Sequence, residues 1–270
     1  VVRITERFNI VEYRQMCLIL FAWNPDSEEQ LIVAANRDEF YNRPSQTAHR
    51  WKDNHHIIAG RDLQQQGTWL GITQSGRFAA VTNYRATDNR QYPYSRGALT
   101  SSFLKSEQSP EEYLHQIHDS QHQYAGFNLL VGDTSSLHYF SNRSEQPPRR
   151  LEKGIYGLSN HLLNTPWPKV TTGIKQFSQV VNGPLKAGTE KEKALLKLLQ
   201  HDQPADDALL PDTGVGKMLE KLLSPLFIRS PSYGTRASTV VQIQRTGNHF
   251  FLEQSYSAEG ETARKTTYKS

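Results

Sequence analysis

The chain has a single cysteine, Cys17, which follows an internal methionine, Met16, at the head of the apolar run CLILFAW. A lone cysteine there reads in one way as a small buried hydrophobe at the start of a strand. It reads in another as a nucleophile, and Met16 is what separates the two. If translation starts at Met16 and the initiator is removed, Cys17 carries a free α-amine. That amine, with an ordinary pKa of about 7.7 to 8.0, works as a base at neutral pH. One residue then supplies both nucleophile and base. A peptide bond to Met16 abolishes the basicity, so this chemistry requires a true N-terminus at Cys17.

Four polar clusters end or follow apolar runs: AANRDEF (34–40), AAVTNYR (79–85), IYGLSN (155–160) and YGTRAST (233–239). Taken singly, each is ordinary turn chemistry, with Asn36, Asn83 and Asn160 capping backbone groups and Arg37 pairing with Asp38 or Glu39. Other signals carry less. TGVGKML (213–219) imitates a phosphate loop, but Pro211 and Met218 stand where that motif needs Gly and Ser or Thr. His115, His118 and His122 share helical spacing with Glu111, yet such polar faces are usually solvated, and no metal is expected.

These residues need elements to position them. CLILFAW suits a strand buried on both faces, and the turn residues of NPDSEEQ join it to LIVAANRD as a hairpin. TWLGIT and RFAAVTNY form a second hairpin around QSG. Helices are expected over SRGALTSSFLKS and over SPEEYLHQIH, where Ser109 is the N-cap and Pro110 the first helical residue. Strands return in GFNLLVGD, SLHYFSN and GIYGLSN. Helices follow at 166–182, 189–201 and VGKMLEKLL, and STVVQIQR with NHFFLEQS closes the chain as a hairpin. Paired strands and helices in blocks, without βα alternation, predict an α+β fold. Doubly buried strands make it a four-layer αββα sandwich of two antiparallel sheets covered by helices.

Composition bounds the rest. The 270 residues carry a net charge of +4 and are 36% hydrophobic, enough for one sizeable core. Lys and Arg are dispersed and no nucleic-acid motif appears, so nucleic acid is not the expected partner. The longest apolar run, Cys17 to Trp23, is far too short to span a bilayer. Residues 1–15 scatter charges where a signal peptide would be apolar, and one cysteine makes no internal disulfide. A reducing, cytoplasmic compartment is expected.

The sequence as a whole resembles the NRDE family, which includes the eukaryotic transport and Golgi organisation proteins. The motifs MCLILFAW, AANRDEF, GTWLGI, GRFAAVTNYR, SRG, GFNLL, YGLSN, WPKV and YGTRAST carry the likeness, in order, from Met16 to about residue 255. That family is similar in turn to the N-terminal-nucleophile hydrolases, whose cysteine branch includes bile salt hydrolases and penicillin V acylases. The resemblance implies an αββα fold and cleavage of a linear amide or related acyl bond. It assigns Cys17 as nucleophile, Asn83 to the oxyanion hole, Asn160 as a second active-site asparagine and Arg236 as a late active-site arginine. The branch's early arginine and aspartate answer either to Asn36 with Glu39 or to Arg37 with a shifted acid, so Asn36, Arg37, Asp38 and Glu39 are all candidates for binding or support. The alternative implied by the eukaryotic relatives is a non-catalytic carrier in haem trafficking or in acyl-lipid and acyl-coenzyme A metabolism, with haem as a bound ligand and no resident cofactor. Residues 1–15 lie outside the resemblance. Since a leading valine is what a GTG start codon gives when read literally, they are expected to be an extension or propeptide. Residues 16–257 then form the domain and 258–270 a polar tail.

Overall fold

The computed structural model describes residues 17–85, 90–185 and 188–270. The expected extension at 1–15 lies outside them. The first sheet has the order β10-β1-β2-β11-β12-β13 and is antiparallel throughout. Its strands are β1 (Cys17–Trp23), β2 (Glu29–Phe40), β10 (Gly154–Leu158), β11 (Tyr233–Gln244), β12 (His249–Tyr256) and β13 (Thr262–Lys269). The second sheet runs consecutively, β3-β4-β5-β6-β7-β8-β9. It contains β3 (Ser45–Arg50), β4 (Ile57–Asp62), β5 (Leu70–Thr73), β6 (Phe78–Asn83), β7 (Phe127–Gly132), β8 (Leu137–Ser141) and β9 (Arg149–Arg150).

Alternation along the strands separates three cores. Ile19, Phe21, Val33 and Ala35 meet Ile58, Ile72, Phe78 and Leu130 between the sheets. Leu18, Leu20, Ile32 and Ala34 face the other way, under α3 (Pro168–Val181) and α4 (Thr189–Leu199), against Phe177, Leu195 and Leu199. Ala79, Val81, Leu129 and Val131 turn outward on the second sheet, beneath α1 (Arg96–Lys105) and α2 (Pro110–Asp119). The result is the expected four-layer αββα sandwich. A short α5 (Lys217–Leu222) precedes β11. Among the described residues, no helix is long and apolar enough to cross a membrane.

The structure adds two features to the expected elements. The second hairpin does not follow the first directly: β3 and β4 intervene. β3 is the polar segment SQTAHR with a bulge between Gln46 and His49, and so lacks the apolar alternation that marks a strand. The polar tail also carries an edge strand: β13 pairs with β12 from Phe250↔Lys269 to Tyr256↔Thr262. Its side chains are mostly exposed, and charged residues on such an edge discourage pairing with another chain.

One close approach sets the rim of the fold near the site. A Cβ built on Gly67 would lie 2.5 Å from the backbone carbon of Gly97 at the start of α1. Backbone cannot yield as a flexible side chain does. Gly67→Ala is therefore expected to destabilise the protein by about 1–3 kcal/mol, as overpacking does, measured as a lower urea midpoint at unchanged slope.

Candidate active site

Register brings the sequence clusters together. Cys17 opens β1 directly opposite Arg37 on β2, and Arg37 is opposite Ala237 on β11. Odd-numbered residues of β2 face the second sheet, so Arg37 points with Cys17 into the space between the sheets. A bulge at Arg236 breaks the alternation of β11, with Thr235 opposite Asp38 and Ala237 opposite Arg37. The extra residue aims Arg236 to the Arg37 side. Its Nη1 donates to the carbonyls of Phe40 (2.9 Å), Tyr41 (3.2 Å) and Arg43 (3.4 Å), fixing the guanidinium in place.

Asn160, just beyond β10, ties the two sheets together. Its Oδ1 accepts from the Cys17 backbone nitrogen at 3.3 Å, and its Nδ2 donates to the carbonyl of Asn83, the last residue of β6, at 3.0 Å. Neighbouring Ser159 donates its hydroxyl to the Cys17 carbonyl at 2.8 Å, while its own carbonyl accepts from Thr82 at 2.6 Å. These bonds lock the head of β1 to the end of the opposite sheet. Around them opens a cavity of about 810 Å³ lined by Cys17, Arg37, Asp38, Asn83, Asn160 and Arg236, among others. Its volume falls in the range of small-molecule sites.

The structure sends the candidates in AANRDEF to different places. Asn36 faces the helix layer, away from the cavity: its Nδ2 donates to the carbonyls of Leu199 (2.8 Å) and Leu226 (2.7 Å), and its Oδ1 accepts from Ser238 (2.6 Å). It braces the helix side of the sheet. Arg37 takes the position beside Cys17. Glu39 lies behind it, within 3.4 Å of both Arg37 and Arg43, and accepts from the backbone N–H of Phe40. Asp38 is fully buried and its Oδ1 accepts from Thr235 at 2.6 Å.

Burial dominates the electrostatics. The Cys17 thiol is pushed up to about 12, first by desolvation and then by the Asp38 carboxylate, against the opposing pull of Arg37. Asp38 is raised to about 6 by desolvation, opposed by Lys169, by the Thr235 hydrogen bond and by Arg37. A carboxyl with a raised folded-state pKa stabilises the native state most when both states are protonated, and that contribution disappears as pH rises through the folded value. The wild-type protein is thus expected to give up this contribution between about pH 4 and pH 6, whereas Asp38→Asn, which cannot ionise, does not. Urea denaturation across that range measures the difference, on the order of 3 kcal/mol at most.

Sequence reasoning missed several members of the site. Lys169, Thr235, Ser159 and Arg43 carried no signal beyond membership of WPKV, YGTRAST, YGLSN and the segment after NRDE. Nothing local marks a lysine that tertiary packing will bury.

Residues 16–258 match the family model described as Transport and Golgi organisation 2. The Transport and Golgi organization protein 2 homolog of Bos taurus is 36% identical over 272 residues, spanning 93% of this chain and 97% of that protein. The human homolog is also 36% identical, over 89% of this chain and 93% of its own length. Among solved structures, a conjugated bile acid hydrolase from Clostridium perfringens aligns with 94% of this chain and 92% of its own, at 11% identity and a TM-score of 0.44.

Proposed function

The chain belongs to the Transport and Golgi organisation 2 family, and from that footing we propose that it is a cysteine N-terminal-nucleophile hydrolase acting on a linear amide or related acyl bond. The observation that carries this reading is the Asn160 bridge. It fixes the nitrogen of the only cysteine, whose carbonyl Ser159 holds, against the strand end that bears Asn83, at the wall of a cavity of about 810 Å³. A cysteine serving only as core filler needs no such anchoring of its backbone nitrogen from 143 residues away.

In the proposed reaction the Cys17 thiol attacks the carbonyl carbon, and its proton passes to the α-amine of the same residue when Cys17 heads the chain. The oxygen that becomes negative is held by the Asn83 carboxamide with a backbone N–H. Arg37 favours the thiolate. Collapse expels the amine, which takes the proton back, and water then resolves the thioester. The single cysteine and the absence of any disulfide pair fit a reducing compartment such as the cytoplasm.

The test is to quench the protein in acid during turnover of an amide and measure its intact mass. Acyl mass localised to Cys17 is the expected result. Turnover with no acyl mass on Cys17 overturns the mechanism.

One observation favours a carrier as the second reading. Arg37, Arg61, Arg143 and Arg236 all line the cavity, a charge distribution suited to the phosphates of an acyl-coenzyme A or to the carboxylates of haem. Saturable haemin absorption changes, or displacement of a fluorescent acyl chain, that survive Cys17→Ala without turnover establish the carrier.

A further inference from the structure

The cavity reaches well beyond the residues that the proposed reaction uses. Register lays out its floor: Cys17 on β1 is opposite Arg37 on β2, Arg37 is opposite Ala237 on β11, and Ala237 is opposite Ser255 on β12. All four line the cavity, and so does Glu253, two residues along β12 from Ser255. Cys17 and Glu253 thus stand three strands apart, about 16 Å between their backbones at ordinary spacings. A ligand that meets the thiol and follows this floor brings its far end to Glu253.

Glu253 shares its face of β12 with Phe251, so its carboxyl lies between the sheets, and it is only 5% exposed. Its Oε1 accepts from the Ala48 N–H at 2.6 Å, at the bulge of β3. Its Oε2 has no hydrogen-bond partner among the described residues, and Glu253 forms no ion pair with any of them. Gly60 leaves room in front of that oxygen: a Cβ built there would lie 3.7 Å from Oε2 and 3.1 Å from the Gln46 carbonyl oxygen. Opposite Glu253 on β11, Thr239 keeps a buried hydroxyl that also lacks a partner among the described residues. Buried polar groups are normally satisfied, so a carboxyl oxygen left bare in a cavity wall points to a group that arrives with the ligand.

The surroundings of the carboxyl restrict what that group is. Burial raises the Glu253 pKa, opposed by the Ala48 N–H and by the charges of Arg37 and Arg264. An ammonium can only donate, and the two arginines repel it. A carboxylate can only accept, and an ionised Glu253 repels it. A hydroxyl donates to the carboxylate and accepts from the acid, so it fits either state. We propose that Glu253, with Gly60 leaving room in front of it, forms a subsite for a hydroxyl group carried at the far end of the ligand's chain. The substrate class is then a hydroxylated linear acyl amide. This rests on the hydrolase reading only for which end of the ligand meets the thiol.

Binding is measured by calorimetry on the Cys17→Ala protein, where no turnover is needed. The probes are straight-chain acyl amides of stepped length, each ending in a methyl, a hydroxyl, an ammonium or a carboxylate group. At one chain length the hydroxyl is expected to lower Kd at least about tenfold relative to the methyl, and to bind more tightly than both charged ends. Glu253→Leu, added to Cys17→Ala, erases that gain. Should it not fold, Gly60→Ala keeps the Ala48 bond, places a methyl in front of Oε2 and erases the gain as well. Equal affinity of hydroxyl and methyl at every length overturns the proposal, and is the result expected of a carboxyl that only holds the β3 bulge. A gain that survives either substitution overturns it too, as does tighter binding of the ammonium or the carboxylate. A hydroxyl gain alongside no hydrolysis of these amides by the protein beginning at Cys17 supports the subsite and refutes the hydrolase reading alone.

Discussion

Cys17→Ala is expected to hydrolyse an amide substrate at least about 10⁴-fold more slowly than the protein that starts at Cys17, with no change in the unfolding free energy from urea denaturation beyond about 1 kcal/mol. The kinetic part follows from the thiol's surroundings. With its pKa pushed up to about 12, a negligible fraction of Cys17 is thiolate at neutral pH, so attack and proton removal must occur together. That makes a base essential. Asn160 Oδ1 accepts from the Cys17 nitrogen, an arrangement that aims a free amine as well as it satisfies an amide. A protein beginning at Cys17 is therefore expected to be active, and one that retains even a single preceding residue to lose most of kcat, because an amide nitrogen accepts no proton. Kinetics on the two forms, each verified by intact mass, measure this. Equal turnover by Cys17→Ala and by the free-cysteine form removes the hydrolase reading. Equal turnover with and without the preceding residue removes only the amine as base.

Asn83→Ala is expected to lower kcat by about 10²–10³ with little change in KM, the size of effect reported for loss of one oxyanion donor. Asn83 lies at the end of β6, 7% exposed and on the cavity wall. The bridge from Asn160 uses its backbone carbonyl, so truncating the side chain leaves that connection intact. Transition-state stabilisation and architecture can thus be separated at one residue. A rise in KM at constant kcat would assign Asn83 to substrate binding. A lower thermal midpoint at unchanged kcat would make it structural.

The layers were legible in the sequence because their physics is local. Doubly apolar CLILFAW, turn residues at NPDSEEQ and QSG, and the Ser109 cap, which forms a full capping box with Glu112, each specify their element within a few residues. Where local pattern was weak, reading failed: SQTAHR forms a strand because its neighbours β4, β12 and β13 hold it, not because it alternates. The candidate site was legible as a set of polar clusters at strand ends. Its internal geometry was not, since a shift of one residue sends Asn36 or Arg37 to opposite faces of the sheet.

The amino-acid sequence alone determined the αββα class, Cys17 as the only thiol and the four segments that supply its neighbours. Tertiary structure decided which side chains of those segments meet. Pairing of β1 with β2 put Arg37 next to Cys17 and turned Asn36 to the helices, and a bulge in β11 brought Arg236 into the cavity. The packing of α3 buried Lys169. Composition and periodicity act over a few residues, whereas register, bulges and the burial of a charge are fixed only when segments distant in sequence close on one another.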